Sequence, residues 1–178
     1  MYNKTETTEV ILALDTASAK TGYAVYKDGY IIDSGTWTLK RSIRFADLAR
    51  QINLTIKEYG VTQIVAENVF KDKDAQKSSA FKILLKCQGV VECVAQSHKL
   101  EETVFIQAVA VKQYMWHYNT YSNLTRDQQK ARMIKCVQHL GYELEHDKAD
   151  DEADAIGLLI TYIDTKGYTI HHPADKQK

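Results

Sequence analysis

The sequence predicts an α/β fold built on a mixed, five-stranded sheet with flanking helices. Its first third alternates apolar and polar residues as strands do, and Asp28-Gly29 is a hairpin turn signal. Helical patterns and short apolar runs then follow one another along the chain. The 178 residues contain one proline and no repeat or linker. A single domain is therefore expected, with a core at about 9–165 and a frayed tail at about 167–178.

The first half of the chain predicts four strands and one helix. Strands are expected over 9–15, 22–26 and 30–39, as an antiparallel meander. Ser42 can cap a helix that ends at Gly60. Residues 62–67 then form a fourth strand, which a helical crossover places parallel to a strand of the meander.

The second half predicts mainly helices. A long helix is expected over 74–97, and a strand over 103–106. Three helices follow, the second of which starts at a capping-box pattern and ends before a glycine; they span 108–118, 125–140 and 150–164. Three antiparallel strands followed by alternating helices and strands is the element order of a ribonuclease H-like fold. A fold alone does not give a function.

Composition excludes several classes of protein. Hydrophobic residues make up 44% of the chain and charged residues 26%, which is typical of a globular domain rather than a disordered chain. No segment approaches the ~18 apolar residues of a membrane span. The polar start lacks the apolar region of a secretory signal, and the three cysteines form no CxxC pair. A cytoplasmic protein without zinc is expected, in the bacterial host cytoplasm if the chain is phage-encoded.

The net charge of zero conceals three charged segments. Residues 71–86 carry a balance of +3 and residues 112–135 a balance of +4, whereas residues 143–154 carry −6. Basic segments can bind phosphate groups, and a dense acidic segment can bind a divalent cation.

Four acidic residues stand out by their positions. Asp15 ends the first strand and Glu67 ends the fourth, so the two lie side by side if these strands are neighbours. Asp151 and Asp154 are three residues apart at the start of the last helix, and therefore project from one face. By the same spacing, the adjacent acids Asp150 and Glu152 are expected to cap the helix or to lie outside the cluster.

Carboxylates packed this closely repel one another and stay ionised only if cations lie between them. Mg²⁺ prefers oxygen ligands, and two such ions can activate a water and stabilise the leaving oxygen in phosphodiester hydrolysis. Each acid also has a structural alternative: Asp15 as a turn former, and the last pair as favourable charges at a helix N-terminus. Glu67 is harder to explain in this way, because a carboxylate closing a buried strand needs a partner.

Three motifs in register resemble the RuvC family of Holliday junction resolvases. The segment 11–25 matches the strand–Asp–turn–Gly–strand start of the family, and 64–70 matches its Glu-x-x-Phe segment. The segment 149–155 matches its Asp-x-x-Asp-Ala helix start, and 109–113 resembles its basic segment. The match covers roughly residues 9–165. The turn after Asp15 departs from the Pro-Gly-Ser of bacterial members, which fits a divergent, phage-encoded member.

The resemblance implies an endonuclease that works as a homodimer, depends on two Mg²⁺ per site with Mn²⁺ able to substitute, and nicks two strands of a four-way DNA junction. It assigns Asp15, Glu67, Asp151 and Asp154 as catalytic metal ligands, acting on a water attacking in line. It places Lys112 and Lys130 near the scissile phosphate, where a cation balances transition-state charge. It also assigns Phe70 as a wedge at the junction centre, and places the dimer contact on the long helix.

The basic segments supply the remaining candidates for DNA binding. Their contacts with phosphate groups would position a duplex without reading its sequence. The alternative is that these side chains form an ordinary solvated surface. The residues are Lys71, Lys73, Lys77, Lys82, Arg126 and Arg132. Aromatic residues are interleaved with the second segment and can either stack on unpaired bases or belong to the core; they are Tyr114, Trp116, His117, Tyr118 and Tyr121.

Other functions remain open from the sequence. A ribonuclease H-like enzyme acting on RNA–DNA hybrids or structured RNA would use the same acids. A non-catalytic module binding branched nucleic acid would keep the fold without needing Mg²⁺. An actin-like kinase would need a second domain, for which 178 residues are too few, and the chain has no GxxxxGK[ST] segment of a P-loop enzyme.

Overall fold

Five strands form one mixed sheet in the structure, a computed structural model that describes residues 9–17, 19–69, 78–116, 124–145 and 149–177. The strands are β1 (Val10–Thr16), β2 (Lys20–Lys27), β3 (Tyr30–Thr38), β4 (Gln63–Asn68) and β5 (Val104–Gln107). Their order across the sheet is β3-β2-β1-β4-β5. The first three strands pair antiparallel, while β4 pairs parallel with β1 and β5. The predicted mixed sheet, with its meander and parallel crossover, is confirmed.

Local signals explain how the chain turns between these strands. Asp28 and Gly29 both have positive φ, 50° and 88°, which is the backbone of a tight hairpin turn. Gly60, at φ 69°, closes the helix before β4 in a left-handed conformation, as predicted. β1 is apolar on both faces because helices cover the sheet on either side.

The helices follow the predicted order, with differences at their starts. They are α1 (Arg44–Tyr59), α2 (Ser79–Ser97), α3 (Ala108–Trp116), α4 (Arg126–His139) and α5 (Asp150–Thr165). Ser42 does not cap α1: it lies inside a short 3-10 turn, Arg41–Ile43, and no side chain caps the helix. The buried Asp47 carboxylate instead accepts the Lys40 backbone N–H at 3.0 Å. At α4 the predicted capping box of Thr125 and Gln128 is confirmed.

The two faces of the sheet carry separate cores. On one face Ile11, Ala13 and Val65 pack with α3, α4 and α5. On the other, Leu12, Leu14 and Ile64 pack with α1 and α2. Most of α5 is buried on every side, because it lies between the sheet and the helices α3 and α4. None of the helices in the described ranges is both long and apolar enough to pass through a membrane.

The segment after α5 is packed, and the prediction of a frayed tail was wrong. The Tyr26 hydroxyl donates to the Thr169 carbonyl at 2.8 Å, and the His171 N–H donates to the Gly29 carbonyl at 2.7 Å. Tyr168 and Ile170 also pack against the α5 core. Tethering of this kind orders a chain end that its polar composition alone would leave free.

Gly22 allows the start of α5 to approach the sheet. It stands directly opposite Asp15 in the β1–β2 ladder. A Cβ atom built on Gly22 would lie 1.7 Å from the Asp151 carbonyl oxygen, a distance at which the backbone has to move. The absent side chain at Gly22 therefore sets how closely the first turn of α5 lies over β1 and β2.

Replacing Gly22 with alanine is expected to destabilise the protein, because the new methyl group collides with the α5 backbone rather than with a flexible side chain. Forcing extra atoms into a packed site costs about 1–3 kcal/mol, to be measured by urea denaturation. Gly89→Ala is the matched control. Nothing lies within 4 Å of the Cβ position of this exposed helical glycine, so alanine should stabilise by about 0.5–1 kcal/mol. Equal stability of the two variants would contradict the close approach at Gly22.

Candidate active site

The parallel pairing of β1 and β4 brings Asp15 and Glu67 together. Leu14 stands opposite Ala66 in this ladder, so the next residue of each strand extends to the same edge of the sheet. The two carboxyl groups share a side-chain hydrogen bond. A hydrogen bond between two carboxyl groups needs a proton on one of them, and burial together with the nearby acids favours protonated Asp15.

Helix α5 brings Asp151 and Asp154 to the same place. The two residues lie one turn apart on one helix face, and the contact of α5 with Gly22 sets that face over Asp15. All four predicted acids line one cleft with a volume of about 240 Å³. The structure thus brings together the full acidic set that the sequence predicted.

Burial raises the pKa of every acid in this cleft. The pKa of Asp154 rises to about 7, first because of burial and then because of the charge of Glu67. Burial, followed by Glu67 and Asp154, raises the pKa of Asp15 well above its usual range. The pKa of Glu67 is raised by burial, and that of Asp151 by burial and the charge of Asp150. Without cations the cleft therefore holds protons that the same side chains would release in water.

This donor set fits divalent cations of the Mg²⁺ type. All four side chains offer only oxygen, which hard cations prefer, and positive charge would replace the retained protons. Across the described ranges, no three His, Cys, Asp or Glu side chains are already gathered around one point for an ion. The acids are instead engaged with one another, as in the pair formed by Asp15 and Glu67. The oxygen donors of the four acids fit divalent cations. Binding an ion between Asp15 and Glu67 would replace the hydrogen bond that joins their carboxyl groups.

Three basic side chains line the same cleft: Lys112, Arg126 and Lys130. The Lys112 ammonium donates to the Gln129 side-chain oxygen at 2.9 Å, and the Gln129 amide donates to the Leu124 carbonyl at 2.9 Å. Lys130 forms an ion pair with Asp150, which raises the pKa of Lys130. Sequence reasoning did not find Gln129, because nothing in the pattern marks a helix amide as the partner of a lysine 17 residues earlier.

Asp150 and Glu152, expected to lie outside the cluster, have different partners. Asp150 is held by Lys130. Glu152 is 1% exposed, accepts the Ser34 hydroxyl at 2.7 Å and accepts the Glu145 backbone N–H at 3.0 Å. The Glu152 carboxylate thus joins the start of α5 to β3 and to the segment before the helix. Burial of a carboxylate is tolerated where donors satisfy its oxygens.

The predicted DNA-binding residues are more widely spread. Phe70, Lys71, Lys73 and Lys77 lie outside the described residues, as do His117, Tyr118 and Tyr121. Lys82 is exposed on α2, and Arg126 lines the cleft. Arg132 lies away from the cleft, 5.1 Å from the centre of the Trp116 ring. Trp116 and Met115 are buried in the core. Of the two alternatives for the aromatic residues, stacking on bases or membership of the core, the second therefore applies to Trp116.

Comparisons with known proteins agree with the sequence motifs. No family model matches the chain. The crossover junction endodeoxyribonuclease RuvC of Dictyoglomus thermophilum is 27% identical over 164 residues, covering 86% of this chain and 96% of that protein. RuvC of Dictyoglomus turgidum is 28% identical over the same shares of the two chains. The predicted resemblance to the RuvC family is thereby confirmed.

Solved structures confirm the ribonuclease H-like fold. Thermus thermophilus RuvC superimposes with a TM-score of 0.64 at 14% identity, over 89% of this chain and 96% of that one. The same enzyme in complex with a Holliday junction substrate gives 0.63 at 10% identity, over the same shares of the two chains. The yeast mitochondrial Holliday junction resolvase gives 0.56 at 12% identity, over 86% of this chain and 77% of that one.

The metal-free protein is expected to lose stability as the pH rises from about 5 to 8. The folded state holds protons on the cleft acids, Asp154 with a pKa of about 7, whereas the unfolded chain releases them near pH 4. A raised folded-state pKa makes the native state bind more protons, so its stability falls with pH across that window. Melting temperatures in EDTA measure this fall, and Asp154→Asn should flatten it.

Mg²⁺ should restore the melting temperature at pH 8 more than at pH 5, because it competes with protons for the same carboxylates. Asp127→Asn, at an exposed position in the first turn of α4, is the matched control and should follow the wild-type profile. Stability that rises with pH in EDTA, or Mg²⁺ protection that is equal at both pH values, would contradict this account of the cleft.

Proposed function

We propose that the chain is a structure-selective DNA endonuclease that resolves four-way junctions, and cuts other branched DNA, as a homodimer in the cytoplasm. One observation carries the proposal: four half-buried carboxylates from two strands and a helix meet in a cleft that three basic side chains also line. Further support comes from the relatives, which are crossover junction endodeoxyribonucleases and match most of the chain.

Asp15, Glu67, Asp151 and Asp154 would hold two Mg²⁺ ions, with Mn²⁺ able to substitute. When bound, such ions activate a water for in-line attack on a phosphodiester and stabilise the leaving oxygen. These four side chains lie on rigid elements, at the ends of β1 and β4 and in the first two turns of α5. Rigid placement matters because displacement of a reacting group by ~1 Å can cost two orders of magnitude in rate.

Lys112 and Lys130 would stabilise the negative charge that develops on the phosphate. The two lysines have different partners: Lys112 donates to the neutral Gln129 side chain, whereas Lys130 forms an ion pair with Asp150. Lys112 is therefore the stronger candidate for contact with the scissile phosphate, and Lys130 for contact with a neighbouring one. A cation aimed at developing charge in a partly buried site stabilises the transition state more than one in water.

DNA would reach the cleft along its basic borders. Arg126 and Lys130 on α4 line one border. Lys82 is exposed on α2, whose Leu84 also lines the cleft. Lys71, Lys73 and Lys77 remain proposed phosphate contacts, and Phe70 a proposed wedge that opens the junction centre, at the energetic cost of unstacking bases. Contacts of this kind position the DNA and carry no sequence information.

The proposed dimer uses the exposed face of α2. Leu85 is 45% exposed there, next to Lys86 and one turn from the open Gly89. Cys87 and Val91 face the core, whereas Leu85 lies outside it. The sheet of the same protomer therefore leaves part of the apolar surface of α2 uncovered. A two-fold pair of such helices would set two clefts against a two-fold junction.

The nicking assay uses end-labelled four-way junction, replication fork, linear duplex and RNA–DNA hybrid, each with Mg²⁺ and with EDTA. We expect symmetric, Mg²⁺-dependent nicks in the four-way junction. Asp15→Asn should reduce the nicking rate by at least about a thousandfold, since it removes a shared metal ligand, while junction binding persists. Asp127→Asn is the matched control and should nick as wild type does.

The other substrates discriminate between functions. Fork cutting in addition would mark a debranching enzyme of relaxed selectivity. Cleavage of the hybrid alone would replace this proposal with a ribonuclease. Tight junction binding without cleavage under any condition would favour a binding module, and nicking retained in Asp15→Asn would remove Asp15 from the ligand set.

Leu85→Glu is expected to convert a dimer to monomers, because it places charge in an apolar helix contact. Sedimentation at several protein concentrations measures the mass, and paired nicking should become single, uncoupled nicks. The matched control is Leu54→Glu, which introduces the same charge at a leucine 50% exposed on α1. A monomeric wild-type protein, or dimers that survive Leu85→Glu but not Leu54→Glu, would exclude α2 as the contact.

A further inference from the structure

A second groove lies between α3, α4 and α5, away from the four acids. Its volume is about 620 Å³. The buried side chains of Met115, Trp116 and Ile160 form its floor, and the exposed Lys135 and His139 stand at its rim. The cleft function described above uses neither the floor nor the rim of this groove.

The charge of this groove is one-sided. Arg132, Lys135 and His139 line it, and none of the described side chains that line it is a carboxylate. Burial lowers the pKa of His172, which therefore adds little positive charge. Two acids lie just outside the lining, Asp175 beside His172 and Asp164 bonded to Tyr114. The chain as a whole has equal numbers of acidic and basic residues, so this is a local excess of positive charge and hydrogen-bond donors. An apolar floor beneath a cationic rim suits a ligand that combines a flat apolar body with a negative group.

The inner end of the groove carries a planar cation over an aromatic ring. The Arg132 guanidinium lies 5.1 Å from the centre of the Trp116 ring. Trp116 is 4% exposed, and its indole N–H has no hydrogen-bond partner among the described residues. Nucleobases stack on arginine planes and on aromatic rings in single-strand recognition. The Arg132–Trp116 stack therefore offers a flat surface on which a nucleobase could stack.

Helix α4 connects this groove to the cleft. Arg126, Gln129 and Lys130 on α4 line the cleft, while Arg132, Lys135 and His139 of the same helix line the groove. The 14 residues of α4 span about 21 Å at ~1.5 Å per residue. A DNA strand leaving the cleft along α4 would therefore meet positive charge over the whole helix.

We propose that the groove of Arg132, Trp116 and Lys135 binds an unpaired nucleotide of the DNA, with its base on the Arg132–Trp116 stack and its phosphate at Lys135 and His139. This inference rests on the proposed function, since its ligand belongs to the DNA substrate. It adds a single-strand site that would favour junctions and forks with unpaired bases over continuous duplex.

The first test measures binding of a dye-labelled tetrathymidylate by fluorescence anisotropy in EDTA, so that no metal ion can bridge a phosphate to the cleft acids. The double variant Arg132→Gln with Lys135→Gln should bind about tenfold more weakly, and lose about 0.7 from the slope of log K against log salt, as the one phosphate contact of Lys135 predicts. Lys57→Gln, exposed on α1, is the control for a lost surface charge. Melting temperatures establish that each variant is folded.

The location of binding is tested separately. The double variant Lys112→Gln with Lys130→Gln removes cleft cations and should weaken tetrathymidylate binding less than the Arg132/Lys135 double variant does. The chain contains two tryptophans, so the variant Trp37→Phe has Trp116 as its sole source of tryptophan fluorescence. Tetrathymidylate should change its emission, whereas an abasic tetramer, inorganic phosphate and a tetraglutamate peptide should not.

The outcomes separate this inference from the proposed function. Unchanged affinity in the Arg132/Lys135 variant, a larger loss in the cleft variant, or an unchanged Trp116 emission would overturn the groove site. An emission change with tetraglutamate equal to that with DNA would make the groove a general site for acidic chains and overturn nucleotide binding. If wild type nicks no junction yet tetrathymidylate perturbs Trp116 as expected, the proposed function fails while the groove site stands.

Discussion

The repulsion among four half-buried carboxylates is the interaction on which the rest of this structure depends. Each acid lies on an element whose place is set by packing rather than by the acid itself: β1 and β4 by their parallel ladder, and α5 by its burial against the sheet. Core packing therefore holds charges together that would separate in a less rigid chain. The raised pKa values measure this constraint, because burial contributes the largest part of each shift.

Helix α5 links stability and the cleft in one element. Its middle and C-terminal part is buried as core, whereas its first two turns carry Asp151 and Asp154 toward the cleft. Two contacts determine where that first turn lies: the close approach at Gly22, and the buried Glu152 carboxylate bound to Ser34 and the Glu145 backbone. Glu152 thus differs from its acidic neighbours, because its oxygens are satisfied by the protein and are not available to a cation.

The basic side chains around the cleft compensate part of this charge without neutralising it. Lys130 is paired with Asp150, and its charge also acts to lower the pKa of Asp151 and Asp154. Lys112, held by an uncharged amide, lowers the pKa of both Glu67 and Asp154. Divalent cations would supply the remaining positive charge, and a DNA phosphate would then enter a site that is no longer repulsive.

The sequence by itself determined the order of elements, the mixed sheet and the positions of the four acids, since periodicity, turn signals and strand ends are local properties of a chain. It also predicted the α4 capping box, which needs only two residues three apart. It misassigned Ser42 as a cap, although the Asp47 carboxylate that binds the Lys40 N–H is a local residue. It misassigned the end of the chain as frayed, because its contacts with Tyr26 and Gly29 join segments far apart in the sequence. Only the tertiary structure decided which side chains share an environment: Glu152 with Ser34, 118 residues apart, and Lys130 with Asp150, 20 apart. Such pairings depend on how whole helices pack on the sheet, and no local pattern encodes them.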